Sequence, residues 1–555
     1  MGKHNNGISR TTVWFIFGCI LLLRYLSMPS YVLSWDVFGY YLYLPAIFIH
    51  GDPLLTDISW IHAEMESRLI STTLYQLSTS PEGGMMFFFF MGMAFLYLPF
   101  FLLAHAIALV FGFPADGFSA PYQLCLAWGF TIYTLIGLFY LRRIMLRFFS
   151  DGWSGVLMIA VVLGTNLYHF TAVKNLETAN PLFALFAMVV WYTIRWHETY
   201  ENRYLYRIAG AAAMMALVKP SEIVCLIIPV LWGVSSIPDL HRRIELIWNK
   251  RFAVLTGVGI AILVFFPQMI YWMVTTGYPI YDSYQNPGVG LDLASPHTID
   301  AFFGFRKGWL IYTPIMWFAM FGFVMLYRSR RDLFWPILTY FVVTSWIITS
   351  WSEWWYGASY SIRPMTTSYV LLAIPMGLFL RSWFETDSWK RWVSIGIPML
   401  FIGLNIFQMW QFRNYILHPY STTKDYYFAV FGKTEITDNE RRLLAWERPL
   451  DPEPEFTDRD EYDCHDLPGW DTEPGDIGDP FQLSEALKYN EAATLGGERY
   501  YGLPYKFAYD QLTDQDHAWL NISAMVYLPK DFNNERIFLT VSLKHLDGDY
   551  GYRAF

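Results

Sequence analysis

Four cysteines serve 555 residues, and they lie where no disulfide framework can use them. Cys19, Cys125 and Cys225 sit within apolar segments and Cys464 stands alone in the polar C-terminal part, so each reads as a buried or unpaired thiol. Charge is sparse too, at 16% of residues. The basic residues come in short clusters between apolar runs, which leaves no continuous patch for a nucleic acid. No Gly-rich nucleotide loop, no HExxH and no Cys-His ligand spacing occurs, so a phosphate-cradling loop and a tetrahedral zinc site both lack their residues. The first apolar run does not read as a removable leader either. Lys3 and Arg10 precede an apolar run that is too long and has no small-residue cleavage site, which predicts a retained first helix starting in the cytoplasm.

What the chain does have is apolar surface: 54% of residues are hydrophobic and 19% aromatic. After the first run, Thr12 to Leu33, apolar segments recur at 86–112, 121–141, 153–170, 181–194, 206–218, 222–234, 252–276, 310–327, 333–350, 367–380 and 392–410. Several reach the roughly 20 residues that a spanning helix needs. The fold class is therefore a polytopic α-helical membrane protein. Five basic clusters lie between the segments, around Arg142 and Arg143, Arg203 and Arg207, Arg242 and Arg243, Arg330 and Arg331, and Lys390 and Arg391. The positive-inside rule assigns them all to the cytoplasm. That assignment holds only if 86–112 does not cross, or if a further crossing is hidden between 37 and 60. The first solution predicts that 86–112 lies in the outer interface, with about eleven crossing helices.

This topology leaves a long first outer loop (34–120), then 171–180, 219–221, 277–309 and 351–366, and an outer tail. The net charge of −9 comes mostly from the tail. Residues 412–480 read as an acidic, proline-containing linker ("LDPEPEFTDRDEYD"), and 481–555 as a small β-rich domain. In that domain "WLNISAMVYL" and "IFLTVSL" alternate apolar and polar residues with the period of half-buried strands.

The outer loops carry the chemistry-bearing residues. Asp36, in "LSWDVFGYYLYLP", follows the first helix directly and is flanked by Trp35, Phe38 and Tyr40. As a general base it would take a proton from an acceptor hydroxyl, and partial burial among aromatics would raise its pKa toward that task. The plainer reading is an interfacial cap within an ordinary aromatic belt. "WSEWWYGASYSIRP" (Trp351–Pro364) adds Arg363, a planar fork for phosphate oxygens, and a lining of Trp354, Trp355 and Tyr360 suited to stacking on sugar rings. "FFGFRKGWLIYTP" contributes Arg306 and Lys307, and "YHFTAVKNLETANP" contributes His169, Lys174 and Glu177. Lys219 is a further cation on the same face. Asp36 and Glu177 would be the donors of a divalent metal site if there is one.

In layout the chain resembles the GT-C superfamily of membrane glycosyltransferases, which take sugars from polyprenyl-phosphate or polyprenyl-diphosphate donors. The resemblance rests on an acid right after the first helix ("SWDVFGYYLYLP"), a long first outer loop, and an acid in a short second outer loop ("KNLET"). An outer C-terminal domain completes it, and it covers about residues 12–410, within a transmembrane unit of residues 1–411. It implies that Asp36 is the catalytic base or acceptor-orienting acid, Glu177 the second-loop acid and Arg363 a donor-phosphate ligand. Arg306, Lys307, Lys219 and Lys174 are its candidate helpers. Two departures leave the acceptor open: "WWYG" (Trp354–Gly357) resembles the WWDYG motif of oligosaccharyltransferases without its aspartate, and the first loop lacks the adjacent Asp-Glu pair of protein O-mannosyltransferases.

The reading that follows is a multi-pass plasma-membrane enzyme with a cytoplasmic N-terminus. It would move a sugar, with inversion, from a polyprenyl-phosphate-linked donor to a glycan, lipid or protein acceptor on the outer face. The alternatives are a transporter or flippase of lipid-linked glycans and a membrane-anchored surface assembly protein acting through its β-domain. A transporter should show inverted repeats or paired interrupted helices, and no internal repeat is evident in the sequence.

Overall fold

The computed structural model describes residues 7–444, apart from positions 30, 69, 72–73, 285–289, 386–388 and 442, together with strands at 540–545 and 548–554. The architecture is helical. After α1 (Gly7–Ser27), the first loop folds as α2 (Asp36–Tyr41), α3 (Tyr43–Phe48), α4 (Ser59–Arg68), a hairpin of β1 (Leu77–Thr79) and β2 (Met85–Phe87), and α5 (Gly92–Phe111). There follow α6 (Ala120–Gly129), α7 (Thr131–Phe148), α8 (Asp151–Leu163), α9 (Leu167–Ala172), α10 (Ala179–Thr199) and α11 (Asn202–Val218). A 3-10 turn (Pro220–Leu226) leads to α12 (Ile227–Leu231), α13 (Ile237–Asn249) and α14 (Arg251–Thr276). The remaining helices are α15 (Thr298–Phe303), α16 (Trp309–Tyr312), α17 (Trp317–Ser329), α18 (Arg331–Thr349), α19 (Tyr369–Phe384), α20 (Trp389–Arg413), α21 (Lys424–Val430) and α22 (Asp438–Arg441).

The apolar segments anticipated from the sequence are mostly helical, although 86–112 opens in strand β2 and 153–170 breaks at Gly164. Among the described residues, seven helices are long and apolar enough to cross a membrane: α1, α5, the α6–α7 run, α14, α18, the stretch Arg363–Phe384, and α20. The segments at α8 and Pro220–Leu231 are apolar but shorter. Small residues let the helices approach closely. A Cβ on Gly322 of α17 would collide with the Pro375 carbonyl of α19, and one on Gly137 of α7 with the Phe183 ring of α10.

The charge pattern turns on α5, which must not cross unless a further crossing lies between 37 and 60. Its first residue, Gly92, abuts Leu217 and Val218 at the C-terminal end of α11, and Met91 N–H donates to Gln268 of α14. Midway, Tyr97 donates to the Leu176 carbonyl in the loop before α10. Near its C-terminal end His105 meets Tyr122 at the start of α6, while Gln123 of α6 accepts from Val32 N–H just after α1. Tyr133 of α7 also donates to the Leu96 carbonyl, so α5 packs along the start of the α6–α7 run as well as against the end of α11 and the loop before α10. Between 37 and 60 the chain forms only the six-residue helices α2 and α3 and the start of α4, so no further crossing is hidden there.

The first part of the segment read as an acidic linker, residues 412–480, falls among the described residues. Residues 414–444 fold back on the bundle, burying Ile416, Leu417, Tyr426 and Val430, and Gln411 donates to the Val430 carbonyl. Of the expected β-domain only β3 (Thr540–His545) and β4 (Gly548–Ala554), paired as a two-stranded sheet, fall among the described residues. The strand expected at "WLNISAMVYL", the rest of the linker and Cys464 lie outside them. Cys19, Cys125 and Cys225 are free thiols, as their apolar settings implied.

Candidate functional site

Three separate connections deliver one charged side chain each to a single point. Asp36 is the first residue of α2, Glu177 lies in the loop between α9 and α10, and Arg363 opens the 3-10 turn before α19. The guanidinium bridges the two acids, with Nη2 2.7 Å from Asp36 Oδ2 and Nη1 2.7 Å from Glu177 Oε2. The other oxygen of Asp36 accepts a hydrogen bond from Tyr75 at 2.8 Å. The side chains are 11–23% exposed, so the cluster is largely desolvated but reachable.

Buried amides fix the three connections. α8 breaks at Gly164, and the freed carbonyls of Leu163 and Thr165 accept from the Asn405 side chain at 2.8 and 3.0 Å. Asn166, inside the break, donates to the carbonyls of Tyr360 and Ile362 and accepts from Tyr369 at 2.6 Å. It thereby pins the backbone that leads into Arg363. Asn175 donates to the Ala127 carbonyl and Asn180 to the Asn175 carbonyl, which holds the Glu177 loop. Trp35, ahead of Asp36, sits at a φ of 54°, a strained conformation for a non-glycine residue. Its N–H donates to the Ile70 carbonyl, and its own carbonyl accepts from Gln76.

The electrostatics differ from the sequence expectation. Burial alone would raise the pKa of Asp36, but the charge and hydrogen bond of Arg363, with help from Tyr75 and the charge of Lys174, hold it below the usual carboxylate range. The expected rise in its proton affinity is thus overturned. Glu177 goes the other way. Burial raises it, Arg363 offsets only part of that, and the neighbouring charge of Asp36 adds to the rise. One guanidinium cannot fully neutralise two carboxylates, and Glu177 is the less exposed of the two.

The remaining cations are arranged around this centre. Lys307 is 2% exposed, and its ammonium donates to the Ser359 carbonyl. Burial, reinforced by the charges of Arg306 and Arg363, pushes its pKa well below the usual lysine value. Among the described residues no carboxylate pairs with it. Arg306 donates to the Tyr420 carbonyl and stacks 3.8 Å above the Trp355 ring. Arg306, Lys307, Ser361 and His418 lie around one point, with no room for a water molecule between them. Lys219 lies 5.2 Å over the Tyr356 ring; burial, opposed by Glu222 and reinforced by Arg363, lowers its pKa to about 8. Lys174 is exposed.

The aromatic candidates divide. Trp355 lies under Arg306, and Trp354 packs against Trp355 and faces the His297 ring. Trp35 is 46% exposed beside Asp36, while Tyr40 is buried against Phe89. Tyr360 is fully buried with its hydroxyl on Asn405, so it supports the loop and cannot stack on a sugar. His169 is buried too, and neither ring nitrogen has a hydrogen-bond partner among the described residues. The sequence singles out neither Tyr75, which hydrogen-bonds Asp36, nor Glu353, whose carboxyl is pushed up by burial and by the charge of Asp36. No spacing in the sequence marks either.

The residues do not suit a divalent metal. The Arg363 guanidinium occupies the position between the Asp36 and Glu177 carboxylates. Among the described residues no group of three or more His, Cys, Asp or Glu side chains converges.

No family model and no curated protein matches the sequence. In structure the chain is similar to the archaeal oligosaccharyltransferase AglB from Archaeoglobus fulgidus, solved with an inhibitory peptide and a dolichol-phosphate. That similarity covers 80% of this chain and 59% of that one, at 11% identity and a TM-score of 0.44. The chain is also similar to ArnT from Cupriavidus metallidurans in the apo state, over 73% of each chain, at 13% identity and a TM-score of 0.40.

Proposed function

We propose that the chain is a membrane glycosyltransferase that moves a sugar from a polyprenyl-phosphate-linked donor to a hydroxyl-bearing acceptor at the outer face of the membrane. The observation that supports this reading is the Asp36–Arg363–Glu177 cluster, assembled from three separate connections, with the buried Lys307 among the side chains around it.

In the cluster as it stands Asp36 is a poor base, because Arg363 and Tyr75 stabilise its charge. A donor phosphate is a competing ligand for the same guanidinium. When Arg363 turns toward the phosphate, Asp36 loses its counter-charge and its proton affinity rises at the moment the donor is in place. The acceptor hydroxyl then gives its proton to Asp36 and its oxygen bonds to the anomeric carbon. The bond from that carbon to the phosphate oxygen breaks, and the electron pair leaves with the polyprenyl phosphate. Attack from the face opposite the phosphate inverts the centre. Arg306 and Lys219 supply the field that favours the departing charge, Lys307 joins them once the approaching phosphate favours its protonated form, and Glu177 keeps Arg363 within reach. Trp355 and Trp354 offer stacking faces for the sugar.

The test uses the full-length protein in liposomes with a panel of radiolabelled polyprenyl-phosphate sugars, following donor binding and the release of polyprenyl phosphate. Asp36→Asn keeps shape but accepts no proton, so turnover should fall by about 10²–10⁴ with donor binding retained. Normal turnover by Asp36→Asn, or failure of the wild-type protein to bind any of the donors, would sink the reading.

A further inference from the structure

Far along the chain from this cluster, α13 (Ile237–Asn249) has no buried residue and is nonetheless strongly two-faced. At about 100° per residue, Ile237, Leu240, Ile244, Ile247 and Trp248 fall on one ridge. Ile237 is 73% exposed, Ile244 56% and Trp248 69%. Arg242, Glu245 and Asn249 fall on another face. A third face meets the bundle, where Arg243 donates to the Trp232 carbonyl and contacts His197, and Leu246 packs on the core. The helix is thus held in one rotational setting with its apolar ridge turned outward.

Its position along the chain narrows what covers that ridge. Only Lys250 separates α13 from α14, one of the helices able to cross a membrane, and most of α14 faces outward from the bundle. Phe252, at the start of α14, is 72% exposed. α13 therefore lies where a crossing helix leaves the bilayer. The segment 237–251 carries four fixed positive charges, Arg242, Arg243, Lys250 and Arg251, against Asp239 and Glu245. Asp239 pairs with Arg242 at 3.0 Å, and Arg251 stacks over Trp248 and Phe252 at the junction. An outward apolar ridge with cations at its membrane-side junction is the pattern of a helix lying in the bilayer surface.

We infer that α13 lies in the membrane surface, its Ile237–Trp248 ridge among the acyl chains and its Lys250–Arg251 end on the headgroups of acidic phospholipids. This inference does not depend on the transferase reading.

The test takes the full-length protein with its native cysteines replaced. Single cysteines at Ile244→Cys and Glu245→Cys carry nitroxide labels, in nanodiscs of phosphatidylcholine with and without phosphatidylglycerol. The label at 244 should be relaxed by oxygen and shielded from a water-soluble nickel chelate, and the label at 245 the reverse. A label at 244 open to the chelate overturns the inference. One shielded from both reagents also overturns it, because a protein surface then covers the ridge. For the headgroup half, spin-labelled phosphatidylglycerol should associate about five-fold less for each charge removed in Lys250→Gln and Arg251→Gln. Association unchanged in the double variant would remove acidic lipid as the occupant.

Discussion

Tyr75 donates a 2.8 Å hydrogen bond to the one Asp36 oxygen that Arg363 leaves free. Asp36 is thus held at both oxygens, by a neutral donor and by a charged one. Tyr75→Phe removes the neutral donor, keeps the ring, and takes away one of the contacts that hold the Asp36 pKa down. An acid-side limb in the pH profile of kcat/KM reports ionisation of the base, so that limb should move to higher pH in the variant. A limb that stays where it was would mean that the measured rate does not read Asp36.

Arg363 is the common partner of two desolvated acids, so its loss should be felt in the fold as well as in activity. Arg363→Ala leaves both carboxylates buried without a counter-charge, a change that costs about 3–5 kcal/mol. The pH dependence changes with it. In the native protein Asp36, with a lowered pKa, contributes stability that is lost as pH falls, while Glu177, with a raised pKa, is destabilising as pH rises. The two trends oppose each other. In Arg363→Ala both acids prefer the protonated form, so stability should drop steadily as pH rises. Thermal unfolding in detergent at mildly acidic and mildly alkaline pH checks this; a variant equally stable at both would contradict it. Arg363→Lys can pair with only one acid at a time and should lie between.

The sequence made Asp36, Glu177 and Arg363 legible because charges at the ends of apolar runs stand out where the positive-inside rule disfavours cations. Their convergence was not legible. It depends on Asn166, Asn175 and Asn405, whose roles come from carbonyls freed where helices break, and a hydropathy pattern does not mark such breaks. The direction of the Asp36 pKa shift is hidden for the same reason: the flanking aromatics are visible in sequence, whereas the counter-charge comes from a residue 327 positions away. The β1–β2 hairpin and Tyr75 were hidden in a loop read only as interfacial.

Lys219 gives a pH prediction on the other side of neutrality. Burial brings its pKa to about 8, so it is protonated below that value and neutral above it. If its charge helps to hold the donor phosphate, the donor Kd should rise as pH increases through about 8. Lys219→Arg, which stays protonated throughout, should flatten that rise while leaving affinity at pH 7 similar. Isothermal titration with a polyprenyl-phosphate sugar at a series of pH values measures both curves. Curves that run parallel would remove Lys219 from the donor site.

The path of α5 is the remaining point on which the topology turns. By length and composition it can cross a membrane, and it packs along the start of the α6–α7 run, with Leu96 at Tyr133 and His105 at Tyr122. A crossing helix of 20 residues spans about 30 Å and would bring its two ends to opposite faces. The charge pattern argues against a crossing: if α5 crossed, each of the basic clusters at Arg143, Arg203, Arg242, Arg330 and Lys390 would be reversed. Single cysteines decide between the two paths. Glu82→Cys before α5, Phe113→Cys after it and Gly290→Cys in the loop before α15 should all react with a membrane-impermeant maleimide added outside intact cells. Arg242→Cys on α13 should react only after the cells are opened. Labelling of Glu82→Cys and Phe113→Cys from opposite sides would make α5 a true crossing. The Asp36 connection and the Arg363 turn would then need different assigned faces from those on which a shared outer site depends.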